Sequence, residues 1–238
     1  MKKRLFVGLM WLCATAAGAQ TSPDSLTVAE DSLAIAATEV PLLDTIPFVL
    51  VPASIDYIPA DETPALLKDR LGCIEQIIPL TYNDKVHAFI NYFTIRDREY
   101  TRMVQRRKNL YFPMFEKYLD KHQLPDELKY LSIIESGLNP RAISRARAVG
   151  LWQFMSGTGR YFGLRSDGYT DDRMDPEKST EAACLYLKQL YSLFGDWQLA
   201  LAAYNSGPGT VRKAIRKSGY KKSFWEVYPF LPRETRAY

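Results

Sequence analysis

Chemistry in this chain starts from Glu135. It comes near the end of a run from Glu127 to Asn139, ELKYLSIIESGLN, in which Leu128, Leu131 and Ile134, with Ile133 one turn off, recur at helical spacing and are expected to face a core. Gly137 and Pro140 both stop a helix, so the carboxylate arrives just as the helix must end. Burial there removes water from the carboxyl and raises its pKa, which lets it hold a proton at neutral pH and give it up as a general acid. A glutamate in a last helical turn can equally be a solvated surface group, and the rest of the chain has to separate the two.

Other chemistries find little material. The chain has two histidines, His87 and His122, and three cysteines, Cys13, Cys73 and Cys184, with no Cys/His cluster. Neither a metal centre nor a Ser-His-Asp arrangement is expected, and no cofactor is called for. Cys184 falls in an apolar helical pattern as a small core residue, and two distant cysteines do not by themselves imply a disulfide. Material for a second carboxylate exists at Asp167, Asp171, Asp172 and Asp175. Gly168 and Pro176 mark that stretch as a turn-rich, solvated loop.

The elements that must position Glu135 read as helices. Asn83 is placed to cap a helix carrying Val86, Phe89, Ile90 and Phe93 on one stripe. A second, very basic helix holds Tyr100, Met103 and Val104, with Arg102, Arg106, Arg107 and Lys108 solvated. A third segment carries Met114, Phe115, Tyr118 and Leu119 and is followed by Leu124 and Pro125, the latter opening the Glu135 helix. Downstream, Leu151 to Met155 and Thr158 to Phe162 read as short helices, the latter ending at Gly163. The longest helix is expected from Glu177 to Phe194, burying Ala183, Leu187, Leu190 and Phe194 and ending at Gly195. Asp196 caps a helix from Trp197 to Asn205. Gly207 ends it, and Pro208 opens another with Val211, Ala214 and Ile215. Strand signals are nearly absent after Lys68. The fold class is mainly α, with an N-terminal helical subregion over residues 67–122 and a second helical domain over 123–238.

The upstream third differs. Residues 1–19 have the anatomy of an export leader: Lys2, Lys3 and Arg4, an apolar run from Leu5 to Ala14, and Ala17-Gly18-Ala19 before Gln20. Leu12 before Cys13 argues against lipid attachment. Residues 20–66 carry eight acidic residues and no Lys or Arg. This stretch reads as a disordered tether with one docking strand at Ile46 to Val51. From Lys68 onward 28 basic residues face 19 acidic ones. Such a domain suits an anionic partner, and for an exported protein that is a wall polymer or membrane surface rather than nucleic acid.

Three clusters end these helices: Glu135-Ser136-Gly137-Leu138-Asn139-Pro140, Ala148-Val149-Gly150-Leu151-Trp152-Gln153-Phe154-Met155, and Ala202-Ala203-Tyr204-Asn205-Ser206-Gly207. Amides and phenols hydrogen-bond hydroxyl and N-acetyl groups, aromatic faces stack on sugar rings, and glycines let backbone approach a ligand. Singly, each cluster is better explained by core packing, Trp152 in particular. Together and in this order they are specific.

At these residues the chain resembles the soluble-type lytic transglycosylases, whose fold is lysozyme-like, and within them the branch of membrane-bound lytic murein transglycosylase D. The resemblance covers residues 123–238 and, more faintly, the helices from Asp84. Ser156 and Gly159 depart from it, where many relatives have proline and alanine. The resemblance implies cleavage of the β-1,4 bond between N-acetylmuramic acid and N-acetylglucosamine in peptidoglycan, leaving 1,6-anhydro ends, with Glu135 as the single acid and base. It implies that Ser136 sets the hydrogen bonding of the acid, and that Gln153 and Asn205 contact the sugar. Tyr204 is expected to bond near Glu135, Gly150 and Trp152 to shape the cleft, and Tyr238 to line it from a frayed end. No metal is implied. The expected partners are glycan strands, with a membrane association left open and the chain a monomer in the periplasm or envelope. Two alternatives stand beside this: a hydrolytic muramidase of the same fold, and a wall-binding scaffold without turnover.

Overall fold

The computed structural model describes residues 63–238. The export leader, the tether up to residue 62 and the expected strand at Ile46 to Val51 lie outside the described residues. Thr63 accepts the Leu66 amide at 3.4 Å and caps α1 (Pro64–Ile74), which starts three residues ahead of the boundary expected at residue 67. Asn83 caps α2 (Asp84–Asn91) as expected, its side-chain oxygen accepting the amides of Lys85 and Val86. The stripe expected on that helix is not core, however. No residue of α2 is buried, and Phe89 and Phe93 are 44% and 40% exposed.

A π-helical turn (Tyr92–Arg96) leads into α3 (Arg98–Lys121), capped by Asp97. At 24 residues α3 is the longest described helix, and it joins the two segments expected on either side of Pro113. Proline costs a helix its own N–H bond, here to the carbonyl of Asn109. Pro113 faces solvent, so that carbonyl can meet water, while Val104, Phe115 and Leu119 on the other side anchor the helix through the break. A 3₁₀ turn (Asp126–Tyr130) then runs into α4 (Leu131–Ser136), which carries Glu135. Leu128 and Leu131 are buried as expected, but Ile134 is 55% exposed, because the helix is too short for a full apolar face to turn inward.

The remaining helices are α5 (Ser156–Tyr161), a 3₁₀ turn (Asp172–Met174), α6 (Pro176–Phe194), α7 (Trp197–Ser206), α8 (Pro208–Lys217), α9 (Phe224–Val227), a 3₁₀ turn (Tyr228–Phe230) and α10 (Arg233–Ala237). Asp175 caps α6 and Asp196 caps α7 through the Lys178 and Leu199 amides. The described residues contain only isolated β-bridges, and the chain is mainly helical there.

The core forms where α6 packs on α7 and α3, and α7 on α8. Small residues allow the close approach: Ala182, Ala183 and Cys184 on α6, and Ala200, Ala202 and Ala203 on α7, are all buried. Cys184 is a buried free thiol as expected, and Cys73 is exposed and free as well. The segment after α1 is tied to the 3₁₀ turn before α4 by Glu127, whose Oε1 accepts the amides of Gln76, Ile77 and Ile78 at 2.9, 2.7 and 3.2 Å. No described helix is long and apolar enough to cross a membrane.

Candidate active site

Glu135 is the penultimate residue of α4. Gly137 follows at φ 60° and Leu138 at φ 59°, so the chain leaves the helix through two left-handed residues. Glycine takes that conformation freely; Leu138 is held there by complete burial. The helix end is tied on every side. The carbonyl of Ile133 accepts the Gly137 amide at 2.8 Å and the Tyr100 hydroxyl at 2.5 Å. The carbonyl of Gly137 accepts the Arg107 guanidinium at 2.9 Å. Ser132 and Ser136 both donate their hydroxyls to the carbonyl of Leu151 at 2.9 Å.

The carboxyl of Glu135 is partly buried, and its Oε1 accepts the hydroxyl of Tyr238. Burial lifts its pKa from the ordinary carboxyl range to about 7, against the downward pull of the Tyr238 hydrogen bond. Burial, helped by the negative charge of Glu135, also pushes the phenols of Tyr204 and Tyr238 well up, so both stay protonated. The result is a carboxyl that holds a proton near neutrality and a phenol that steadies it once the proton has left.

The second cluster is a turn, not the short helix expected from Leu151 to Met155. Val149 and Phe154 exchange backbone hydrogen bonds at 3.1 and 3.0 Å, with Gly150 at φ 87° and Gln153 at φ 47° inside the loop. A Cβ on Gly150 would sit 1.8 Å from the carbonyl oxygen of Arg173, so no side chain fits. Arg173 is bidentate to Asp171 and gives its Nη1 to the carbonyls of Phe154 and Arg147 at 3.1 and 3.3 Å.

The residues expected in the site divide into two groups. Tyr238 and Glu135 meet directly, and Tyr238 is seated rather than frayed. Tyr204 bonds near Glu135 but not to it: its hydroxyl donates to the carbonyl of Trp152 at 2.8 Å, and its ring lies 5.1 Å from that of Tyr186. Asn205 is exposed at the end of α7. Ser136 does not bond the acid; it stitches the helix end to the second cluster and caps the Asn139 amide at 3.2 Å. Gln153 spends its side-chain amide on the carbonyls of Gly150 and Ala142, holding the turn. Trp152 does not line a cleft with its side chain. It is wholly buried, donates to Thr180 at 2.9 Å and packs with its ring tilted against that of Phe115 at 4.9 Å, as a core residue does.

Arg107 and Arg173 were not singled out for the site by sequence. Arg107 was expected in solvent; the signal available was its place seven residues after Tyr100 and four after Met103, on one helical stripe.

The loop aspartates are each engaged elsewhere. Asp171 pairs with Arg173 and Asp172 with Lys178 at 2.6 Å. Asp167 accepts the amides of Tyr169 and Thr170, and Asp175 caps α6. The Arg173 bond holds the Asp171 carboxyl below its usual range, the Lys178 bond does so for Asp172, and the Thr170 amide for Asp167. Among the described residues no three His, Cys, Asp or Glu side chains group as a metal site requires.

Residues 113–226 match the family model of the transglycosylase SLT domain. The SLT match begins within α3 and stops inside α9, so it holds Glu135, the turn at Gly150 and Tyr204, but not Tyr100, Arg107 or Tyr238. Membrane-bound lytic murein transglycosylase D of Escherichia coli (strain K12) is 39% identical over 148 residues, 60% of this chain and 32% of that protein. A putative tributyltin chloride resistance protein of Alteromonas sp. (strain M-1) is 36% identical over 135 residues, 56% of this chain and 62% of that one. The crystal structure of the 70 kDa soluble lytic transglycosylase of Escherichia coli, 30% identical, aligns over 54% of this chain and 22% of its own with a TM-score of 0.48. The chain thus spans about a third of the length of transglycosylase D.

Proposed function

We propose that this chain is a lytic transglycosylase that cleaves the β-1,4 bond between N-acetylmuramic acid and N-acetylglucosamine in peptidoglycan, with Glu135 as the one acid and base. The observation that carries the reading is a lone carboxyl with a pKa near 7, hydrogen-bonded to Tyr238, while the aspartates that a paired mechanism would draw on are committed to Arg173, Lys178 and backbone amides. The SLT match and the names of the relatives support the same reaction.

Glu135 first gives its proton to the leaving glycosidic oxygen as the bond to the anomeric carbon breaks. The 2-acetamido group of the sugar steadies the positive charge left there, the kind of substrate assistance that replaces a second carboxylate. The carboxylate of Glu135, held by the Tyr238 hydroxyl, then accepts the proton of the muramic C6 hydroxyl as that oxygen closes onto the anomeric carbon. The proton count balances and no water is consumed. In this reading Asn205, exposed at the end of α7, meets sugar groups, with Tyr204 beside it. The substrate is the wall polymer, so the protein works in the cell envelope, which the leader-like first 19 residues support.

Digestion of purified peptidoglycan followed by mass spectrometry tests the reading. Fragments one water lighter than hydrolysis products are expected, and Glu135→Gln abolishes them while the protein still sediments with the wall. Full-mass reducing ends would establish the hydrolytic muramidase instead, and binding without turnover the scaffold.

A further inference from the structure

We infer that the upstream half of α3 completes the active site: Tyr100, Met103 and Arg107 are positioning residues that lock the end of α4 in the one course that aims Glu135 at Tyr238. The inference rests on the function proposed above, and it extends the working unit beyond the segment that matches the SLT family, which starts at residue 113.

The last carbonyls of a helix have no partner within it, and a six-residue helix has few other bonds to resist fraying. The carbonyls of Ile133 and Gly137 bracket Glu135 in sequence, and both accept α3 side chains: Ile133 takes the Tyr100 hydroxyl beside its helical bond from the Gly137 amide, and Gly137, past the helix end, takes the Arg107 guanidinium. Between them α3 forms a socket for the left-handed turn. A Cβ on Gly137 would stand 3.1 Å from Cε of Met103 and 3.2 Å from Cε2 of Tyr100, so the backbone lies directly against that face. Residues 100, 103 and 107 share one stripe of α3, so a single rigid element supplies all three contacts. The opposite side of the same helix end is held by the carbonyl of Leu151 through Ser132 and Ser136. Release of the α3 side leaves the Glu135 turn fixed on one flank only, and the carboxyl becomes free to rotate away from Tyr238 into water.

The test uses full-length Arg107→Met, Arg107→Lys and Tyr100→Phe proteins, with two readouts. The first is a carbon-13 NMR titration of the Glu135 carboxyl, which needs no turnover. In the wild type the midpoint is expected near 7, and in Arg107→Met and Tyr100→Phe it falls as water reaches the carboxyl. The second is turnover on purified peptidoglycan. It drops roughly 10- to 100-fold in Arg107→Met, as expected for a misplaced catalytic group. KM stays within about threefold, because uniform binding is untouched. Arg107→Lys, which keeps a donor, recovers most of both. A Glu135 titration unchanged in Arg107→Met and Tyr100→Phe overturns the inference, as does an equal fall in the lysine and methionine proteins. Tyr100→Phe removes one hydroxyl and keeps the ring in its socket, so it answers the question if Arg107→Met does not fold. A wild type that titrates near 7 and cleaves nothing would defeat the proposed function alone.

Discussion

On the proposed mechanism Glu135 gives a proton and then takes one back, and two influences on it pull in opposite directions. Burial favours the acid; the Tyr238 hydroxyl favours the carboxylate. Removing the hydroxyl with Tyr238→Phe leaves burial unopposed, so the pKa of Glu135 rises further. The basic limb of the kcat/KM profile, set near 7 in the wild type by loss of the acid form, is expected to move to higher pH. A hydrogen bond to a charged group contributes about 1.5–3 kcal/mol. Turnover should therefore fall by roughly one to two orders of magnitude, in the step that needs the carboxylate. Rate measurements from pH 5 to 9 check this, and a limb that stays put or moves down would count against the role of Tyr238. At this scale the acid was legible because its signals are local: an apolar period, then Gly137 and Pro140. Tyr238 was legible only through resemblance, since 103 residues separate it from its partner. Arg107 was legible only as a member of the Tyr100 and Met103 stripe, and its contact was not. Its partner is a backbone carbonyl, and a carbonyl has no residue identity for a sequence to display.

At the scale of elements, two helix starts were readable from their caps. Asn83 and Asp196 each mark a start by a residue type that prefers to be there, whereas Asp175, which also caps a helix, reads as part of a turn-rich loop. The turn from Gly150 to Phe154 failed the same treatment. Its apolar run imitates a helix, and what ends the imitation is a positive φ at Gln153, which glutamine does not advertise. Three groups hold that turn: Gln153 from within, Arg173 from below, and Ser132 with Ser136 from α4. Its closest approach is at Gly150, where even a methyl meets the Arg173 carbonyl. Gly150→Ala must shift one backbone or the other and also strains a left-handed residue, and we expect a loss of at least ~3 kcal/mol. In a domain of this size that lowers Tm by roughly 6–12 °C. Calorimetry on the purified variant reads it directly, and a Tm within a degree of wild type would mean that the Arg173 backbone yields freely. Pro113 shows the opposite kind of misreading. The residue type announces a break, but packing of Val104, Phe115 and Leu119 on the inner side carries α3 through it, and that continuity lets α3 reach from the core to the Glu135 turn.

At the scale of the whole molecule, the charge excess from Lys68 onward suits the polyanionic wall polymer of the proposed function. Its densest exposed stretch is α8 and the loop after it, where Arg212, Lys213, Arg216, Lys217, Lys221 and Lys222 all face solvent. Val211 and Ala214 bury the other side of α8, so these charges are held outward by the core. Lys221 pairs with Glu226 at 3.3 Å. A wall polymer carrying peptide carboxylates fits such a face. Attraction of this kind acts over a screening length of about 10 Å at 0.1 M salt and about 3 Å at 1 M. Binding of the Glu135→Gln protein to insoluble peptidoglycan is therefore expected to weaken steeply between low and high salt. The double substitution Lys213→Glu with Arg216→Glu should weaken it at low salt and flatten the salt dependence. Turnover of short soluble fragments, which reach the cleft without spanning α8, should be unchanged in the same double variant placed on the wild-type Glu135 background. Co-sedimentation across a salt series and fragment assays separate the two effects. A salt slope identical in wild type and double variant would move the binding face away from α8, and a parallel loss on soluble fragments would mean that the substitutions had disturbed the α7 end that carries Tyr204 and Asn205.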